Sequence, residues 1–210
     1  LNPFEIPVKN APSLLVIGCS AGGMDALLKI LPALPREMPF ATAVVIHLPP
    51  DSDSMLARIF GPKVRAPAKE AEDKEEIRAN TIYFAVPSYH LAVEPEGCFS
   101  LSVDDPVNFS RPSIDVFFES AAAAYGSRVV GILLTGANSD GAEGLRAIVK
   151  NGGRAIVQDP KTAENSAMPE AGIRALTDAP DHARFILPLE GIAKQLQDPR
   201  SLIMENLWKR

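Results

Sequence analysis

Apolar runs of five to seven residues punctuate the chain, and stretches with helical spacing follow them. Ser13 to Gly18 reads as a strand and Met24 to Leu31 as a helix; Ala41 to His47 predicts a buried strand ahead of a short helix near 54–60. Val129 to Leu134 repeats the beat before a helix from about Gly141 to Lys150, and Ala155 to Val157 and Phe185 to Leu187 read as later strands. Val/Ile/Leu strands without polar alternation belong to sheets covered on both faces, and their alternation with helices indicates parallel strands. The expectation is an α/β fold: a doubly wound, mainly parallel sheet with helices on both faces and a small antiparallel edge or hairpin.

The pattern changes between Pro62 and Val103. A charged run, Lys69 to Glu76, mixes both signs and reads as a solvated face. Short alternating segments follow, Thr81 to Val86, His90 to Glu94 and Phe99 to Val103, with Pro87 and Gly97 as breakers; they predict an antiparallel edge or hairpin insert. Ser113 to Tyr125 is a helix with Ser113 as N-cap and Asp115 in its first turn, where the helix dipole favours a carboxylate. The division expected is an N-terminal extension (1–12), a main α/β domain (13–195) and a C-terminal helix (196–210), with helix beginning at Gly191. Leu1 in place of Met predicts that the chain begins inside a longer gene product.

Composition narrows the function. With 210 residues, 46% hydrophobic, the chain can bury a core without staples, and it contains no internal repeat. A net charge of -5 gives no electrostatic footprint for duplex DNA or an anionic membrane, so neither nucleic acid nor membrane insertion is expected. The two cysteines, Cys19 and Cys98, form no CxxC pair, and no apolar stretch reaches the roughly 20 residues that span a bilayer. A cytoplasmic protein fits best. No histidine pair has metal spacing, and Asp51 with Asp53 lacks the pattern of a calcium loop; neither metal nor cofactor is expected.

Candidate chemistry sits at strand ends. The first strand runs into Gly18-Cys19-Ser20-Ala21-Gly22-Gly23 and then a helix, the edge at which open α/β sheets bind ligands. The turn lacks GxGxxG and the Lys-Ser/Thr end of a P-loop. It is therefore an ordinary glycine-rich turn, or it presents Ser20 as a nucleophile with the backbone N–H of Ala21 facing an oxyanion. His47 ends the second strand and stands on the same edge if the two strands are neighbours; a lone histidine there is otherwise a core residue. Asp140 follows the third strong strand, where it is either a helix cap or an acid. Each of these strands delivers one member of a Ser, His and Asp set to the same edge, which is the division of labour a hydrolytic triad needs. The order Ser20, His47, Asp140 disfavours an ordinary α/β-hydrolase. Rivals are Cys19, expected to be a buried inert thiol; Asp159, a substitute acid; His90, expected in the insert as a surface or loop residue; and His182.

The motifs IGCSAGG, VIHLPP, IYFAVPSYHL, RPSIDVFFESAA, GILLTGANSDGAEGL and GGRAIVQDPKTAENSAMPEAGI, in this order over about residues 13 to 195, resemble the catalytic domain of the chemotaxis receptor methylesterases (CheB type). The resemblance implies hydrolysis of γ-glutamyl methyl esters on chemoreceptor helices, deamidation of particular glutamines, and a receiver domain upstream or in trans. It places the nucleophile on Ser20, the base on His47 and the acid on Asp140. Ala21 stands where the family usually has Thr, and Ala137 where it usually has Met; both leave backbone donors in place. The competing classes are a catalytically degraded domain serving as a binding module in a sensory complex, and a small-molecule or phosphate-binding protein using Gly22 and Gly23.

Overall fold

The computed structural model describes residues 14–48 and 54–198. The expected extension 1–12 lies outside the described residues, and so does the expected C-terminal helix beyond residue 198. Strands are β1 (Leu14–Cys19), β2 (Ala41–Ile46), β3 (Ala68–Glu70), β4 (Ile82–Phe84), β5 (His90–Val93), β6 (Phe99–Ser102), β7 (Val129–Leu133), β8 (Arg154–Gln158) and β9 (Arg184–Leu187). Helices are α1 (Gly23–Ile30), α2 (Leu56–Phe60), α3 (Ile114–Tyr125), α4 (Ala142–Lys150), α5 (Ala167–Ala175) and α6 (Leu189–Gln197).

Seven strands form one parallel sheet in the order β3-β4-β2-β1-β7-β8-β9, and β5 pairs with β6 as an antiparallel hairpin. Every residue of β1 and β2 is buried because both faces are covered. Leu15, Ile17 and Cys19 enter the layer of Leu27 and Ile30 from α1 and Ile192 and Leu196 from α6. The alternate residues Leu14 and Val16 pack with Phe117, Phe118 and Ala121 of α3 and Leu145 and Ile148 of α4. The period of two thus assigns a strand residue to one layer or the other.

The sheet also fixes where a site can form. From β1 the chain crosses to β2 on one side, whereas the neighbour on the other side, β7, leads onward to β8. The winding direction reverses between β1 and β7, and open α/β sheets leave a crevice beyond the carboxyl ends of strands at such a switch point.

Two expectations need correction. The Thr81 to Val86 segment is not part of the antiparallel insert: β4 lies parallel beside β2, with Thr42 opposite Ile82. Its three residues are all buried, Phe84 stacking on Phe60 and Tyr83 edge-on to Phe99, so both faces are covered; a run this short carries no sign of its partner's direction. The charged run is also not wholly a solvated face, since Ala68–Glu70 is β3, the outermost strand. Its charges suit an edge, and Lys69 bridges Glu72 at 2.7 Å and Glu75 at 2.9 Å.

Candidate active site

Beyond β1 the ladder continues for one residue. Leu134 N–H donates to Gly18 O and Ser20 N–H to Thr135 O, both at 2.9 Å, while His47 N–H donates to Cys19 O at 3.1 Å. The register Cys19 opposite Ile46, carried one step on, sets Ser20 beside His47 at the carboxyl edge. Parity gives Ser20 the sheet face of Leu14 and Val16, under α3, and gives Cys19 the opposite face. Cys19 is buried, and desolvation pushes its thiol far above the ordinary range, which leaves it un-ionised and inert.

After Ser20 the chain must turn sharply into α1. Gly22, at φ +76°, is the N-cap, a conformation that side chains disfavour. Gly23 N–H returns to Ser20 O at 2.7 Å and the Thr135 hydroxyl donates to Ala21 O at 2.8 Å, so the turn is pinned from both sides. Among the described residues the Ala21 N–H has no hydrogen-bond partner.

Asp140 is fully buried between the start of α4 and the start of α3. Its Oδ1 accepts from Ser113 Oγ at 2.8 Å, Asn108 Nδ2 at 2.9 Å and Asp115 N–H at 3.1 Å; its Oδ2 accepts from Ile114 N–H at 2.7 Å and His47 Nε2 at 2.9 Å. The helix N-terminus has orphan donors to offer, and the carboxylate takes them. The exchange is reciprocal. Asp115, in the first turn of α3, accepts from Gly144 N–H in the first turn of α4 at 2.7 Å, and from Asn108 Nδ2 at 2.8 Å. Gly144 permits this approach, since a Cβ there would stand 2.5 Å from Phe118 Cβ.

Two adjacent buried carboxylates cannot be equally content with charge. Burial alone would raise the pKa of Asp140, but hydrogen bonds from His47, Asn108, Ile114 N–H and Ser113 outweigh it and hold the group below the ordinary carboxylate range. Asp115 goes the other way, to about 6, because burial dominates and Asp140 repels its charge, against the donors Gly144 and Asn108. Asp140 is therefore the anion, able only to accept, and His47 Nε2 carries the proton between them. That leaves the lone pair on Nδ1. It faces Ser110 Oγ at 3.3 Å.

The structure thus joins His47 and Asp140 directly and sets Ser20 beside His47, while the recorded hydroxyl contact of His47 is with Ser110. The roles of Asn108 and Ser110 escaped the sequence; no spacing links a turn after β6 to the ends of β2 and β7. His90 is neither a surface nor a loop residue, since it begins β5 and is buried. It is 2% exposed, its Nδ1 accepting from Ser113 N–H at 3.2 Å and its Nε2 donating to Asp105 O at 3.1 Å. Ser113 and His90 do not form a nucleophile and base, because the Ser113 hydroxyl is spent on Asp140 and on Val116 N–H. Asp159 accepts from Lys161 N–H at 3.0 Å and caps its own turn, and His182 is exposed before β9.

Residues 15–196 match the family model described as CheB methylesterase. A relative from Leptospira interrogans, named for protein-glutamate methylesterase and protein-glutamine glutaminase, is 47% identical over 180 residues, 86% of this chain and 91% of the relative. One of the same name from Symbiobacterium thermophilum is 36% identical over 86% of this chain and 48% of its own length. The crystal structure of the Thermotoga maritima CheB methylesterase catalytic domain superposes with a TM-score of 0.81 at 32% identity, covering 89% of this chain and 98% of that one. Sequence, fold and the carboxyl-edge crevice agree, and the chain belongs to the CheB methylesterase family.

Proposed function

We propose that the chain hydrolyses γ-methyl esters of glutamate side chains on chemoreceptor helices with Ser20 as nucleophile, His47 as base and Asp140 as acid, and that it deamidates particular glutamines at the same site. The observation that carries the reading is the 2.9 Å hydrogen bond between His47 Nε2 and an ionised, buried Asp140, one register step from Ser20. Asp140 fixes the tautomer, so Nδ1 accepts the Ser20 proton as Oγ attacks the ester carbonyl. The oxyanion takes the Ala21 N–H, and the imidazolium returns its proton to methoxide, releasing methanol and an acyl-enzyme. Water, deprotonated by the same nitrogen, then frees the glutamate. For glutamine the leaving group is ammonia and the steps are otherwise the same. Adaptation of chemoreceptors in the cytoplasm is the setting that this reaction implies.

Ser110 gives the experiment its control, because its hydroxyl occupies the nitrogen that Ser20 requires. Ser20→Ala should lower methanol release from a methylated receptor by at least about 10³-fold, while Ser110→Ala should retain turnover. The reverse result makes Ser110 the nucleophile.

A further inference from the structure

Phe109 is the most exposed large apolar residue described, at 105% of its reference area. It sits at the tip of a two-residue hairpin in which Val107 and Ser110 exchange backbone hydrogen bonds at 3.1 and 2.9 Å. Both central residues have positive φ, Asn108 at 50° and Phe109 at 60°. Such turns favour Asn followed by Gly. A bulky side chain in the left-handed region is intrinsically disfavoured, and here no burial of the ring offsets that. A strained and wholly exposed phenyl has no folding rationale, and such outliers point to function.

Its position says which function. The preceding residue, Asn108, bridges Asp140 and Asp115, and the following residue, Ser110, touches His47. The ring therefore stands on the rim of the crevice within one residue of both groups. The turn is also held firmly: Arg111 donates to Val103 O at 2.7 Å and Asp104 O at 2.9 Å, and His90 holds Asp105 O. Val103 and Val107, both exposed, extend the apolar rim.

We propose that Phe109 is a substrate-docking residue that grips the apolar side chains three or four positions from the methylated glutamate on the receptor helix. The inference rests on the esterase reading above. An ester carried on a helix cannot enter the crevice alone; its helix must lie across the rim, and residues at those spacings share the glutamate's face. A small ester brings no such flank. A phenyl on a turn whose backbone is already held contributes contact area with little backbone ordering cost on binding.

The test compares a methylated cytoplasmic receptor fragment with N-acetyl-glutamate γ-methyl ester α-amide. Phe109→Gly suits the turn, so its melting temperature should equal or exceed the parent's. On the receptor fragment it should lower kcat/KM by about tenfold or more, through KM, with the small ester changed by less than about twofold. Phe109→Leu should recover most of the loss. Equal loss on both substrates, no loss on the receptor, or a change in oligomeric state in place of KM each overturns the proposal. A parent protein that hydrolyses neither ester overturns the esterase reading itself.

Discussion

His47 and His90 lie at opposite ends of one hydrogen-bond network, yet they do different work. Each has both ring nitrogens engaged, and each is linked to the start of α3. His90 is held between a backbone N–H and a backbone carbonyl, neither of which can move or change charge, so its proton has nowhere to go. His47 is held on one side by an anion and faces a side-chain hydroxyl on the other, with 12% of its side chain open. The difference lies in the partners. A histidine becomes a base when one nitrogen is fixed by a carboxylate and the other is left to a group that can be exchanged for substrate chemistry.

Removing the carboxylate's charge should break that distinction most strongly. Asp140→Asn keeps the shape but faces His47 Nε2–H with an amide that can present its own N–H, reversing the tautomer. The rate on a methylated receptor should fall by about 10⁴-fold. The variant should also be less stable, because the donors from Ser113, Asn108 and the α3 N-terminus lose their anion. A loss below about tenfold would mean that Asp140 serves only as a cap for α3.

His90→Leu acts on the other end. It strands the buried Ser113 N–H, while the carbonyl of exposed Asp105 can turn to water, and the lost partner should cost about 1–3 kcal/mol in urea unfolding. Per folded molecule, kcat/KM should stay within about tenfold of the parent. A catalytic collapse with unchanged stability would show that His90 exchanges a proton after all.

The same contrast explains what the sequence could convey. The strand ends carrying Ser20, His47 and Asp140 are legible because uninterrupted apolar runs predict parallel strands, and parallel strands end on a common edge. The direction of β4 is not legible, because three buried residues look alike in either direction. The burial of His90 is not legible for a related reason: a histidine beginning a short strand has no periodic neighbour to reveal that α3 will cover it. The reciprocal capping by Asp140 and Asp115 depends on α3 and α4 meeting at Gly144, a tertiary fact. The Ser113 cap, a local bond, was readable and is found.

A smaller effect separates the two carboxylates. Asp115 binds its proton more tightly when folded, at about 6 against 3.8 for an ordinary aspartate. Between those values the native state holds the extra proton, so this group favours folding at low pH and its contribution is lost as pH rises through about 6. Asp140, with its pKa lowered, contributes with the opposite sign and loses stability on acidification. Urea unfolding at pH 4.5 and 7.5 should show the parent losing stability relative to Asp115→Asn on going to the higher pH. A gain would mean that the ionised Asp115 is the form the fold prefers.

The smallest effect expected is at Asp159, the rival acid. It follows β8, and β7 separates β8 from β1, so it belongs to a different part of the sheet edge from the Ser20 turn. Its carboxylate is engaged by Lys161 N–H and caps a short turn over Pro160–Thr162. An Asn side-chain oxygen accepts the same bond and ranks with Asp as a cap, so Asp159→Asn should change stability by less than about 1 kcal/mol. Turnover of a methylated receptor should be unchanged within about twofold, because no proton moves through this group. The substitution makes the same chemical change as Asp140→Asn at a carboxylate that also caps a helical turn but does not touch His47. If Asp159→Asn abolished turnover while Asp140→Asn retained it, the hydrogen bond to His47 would be structural and the acid would lie at the end of β8.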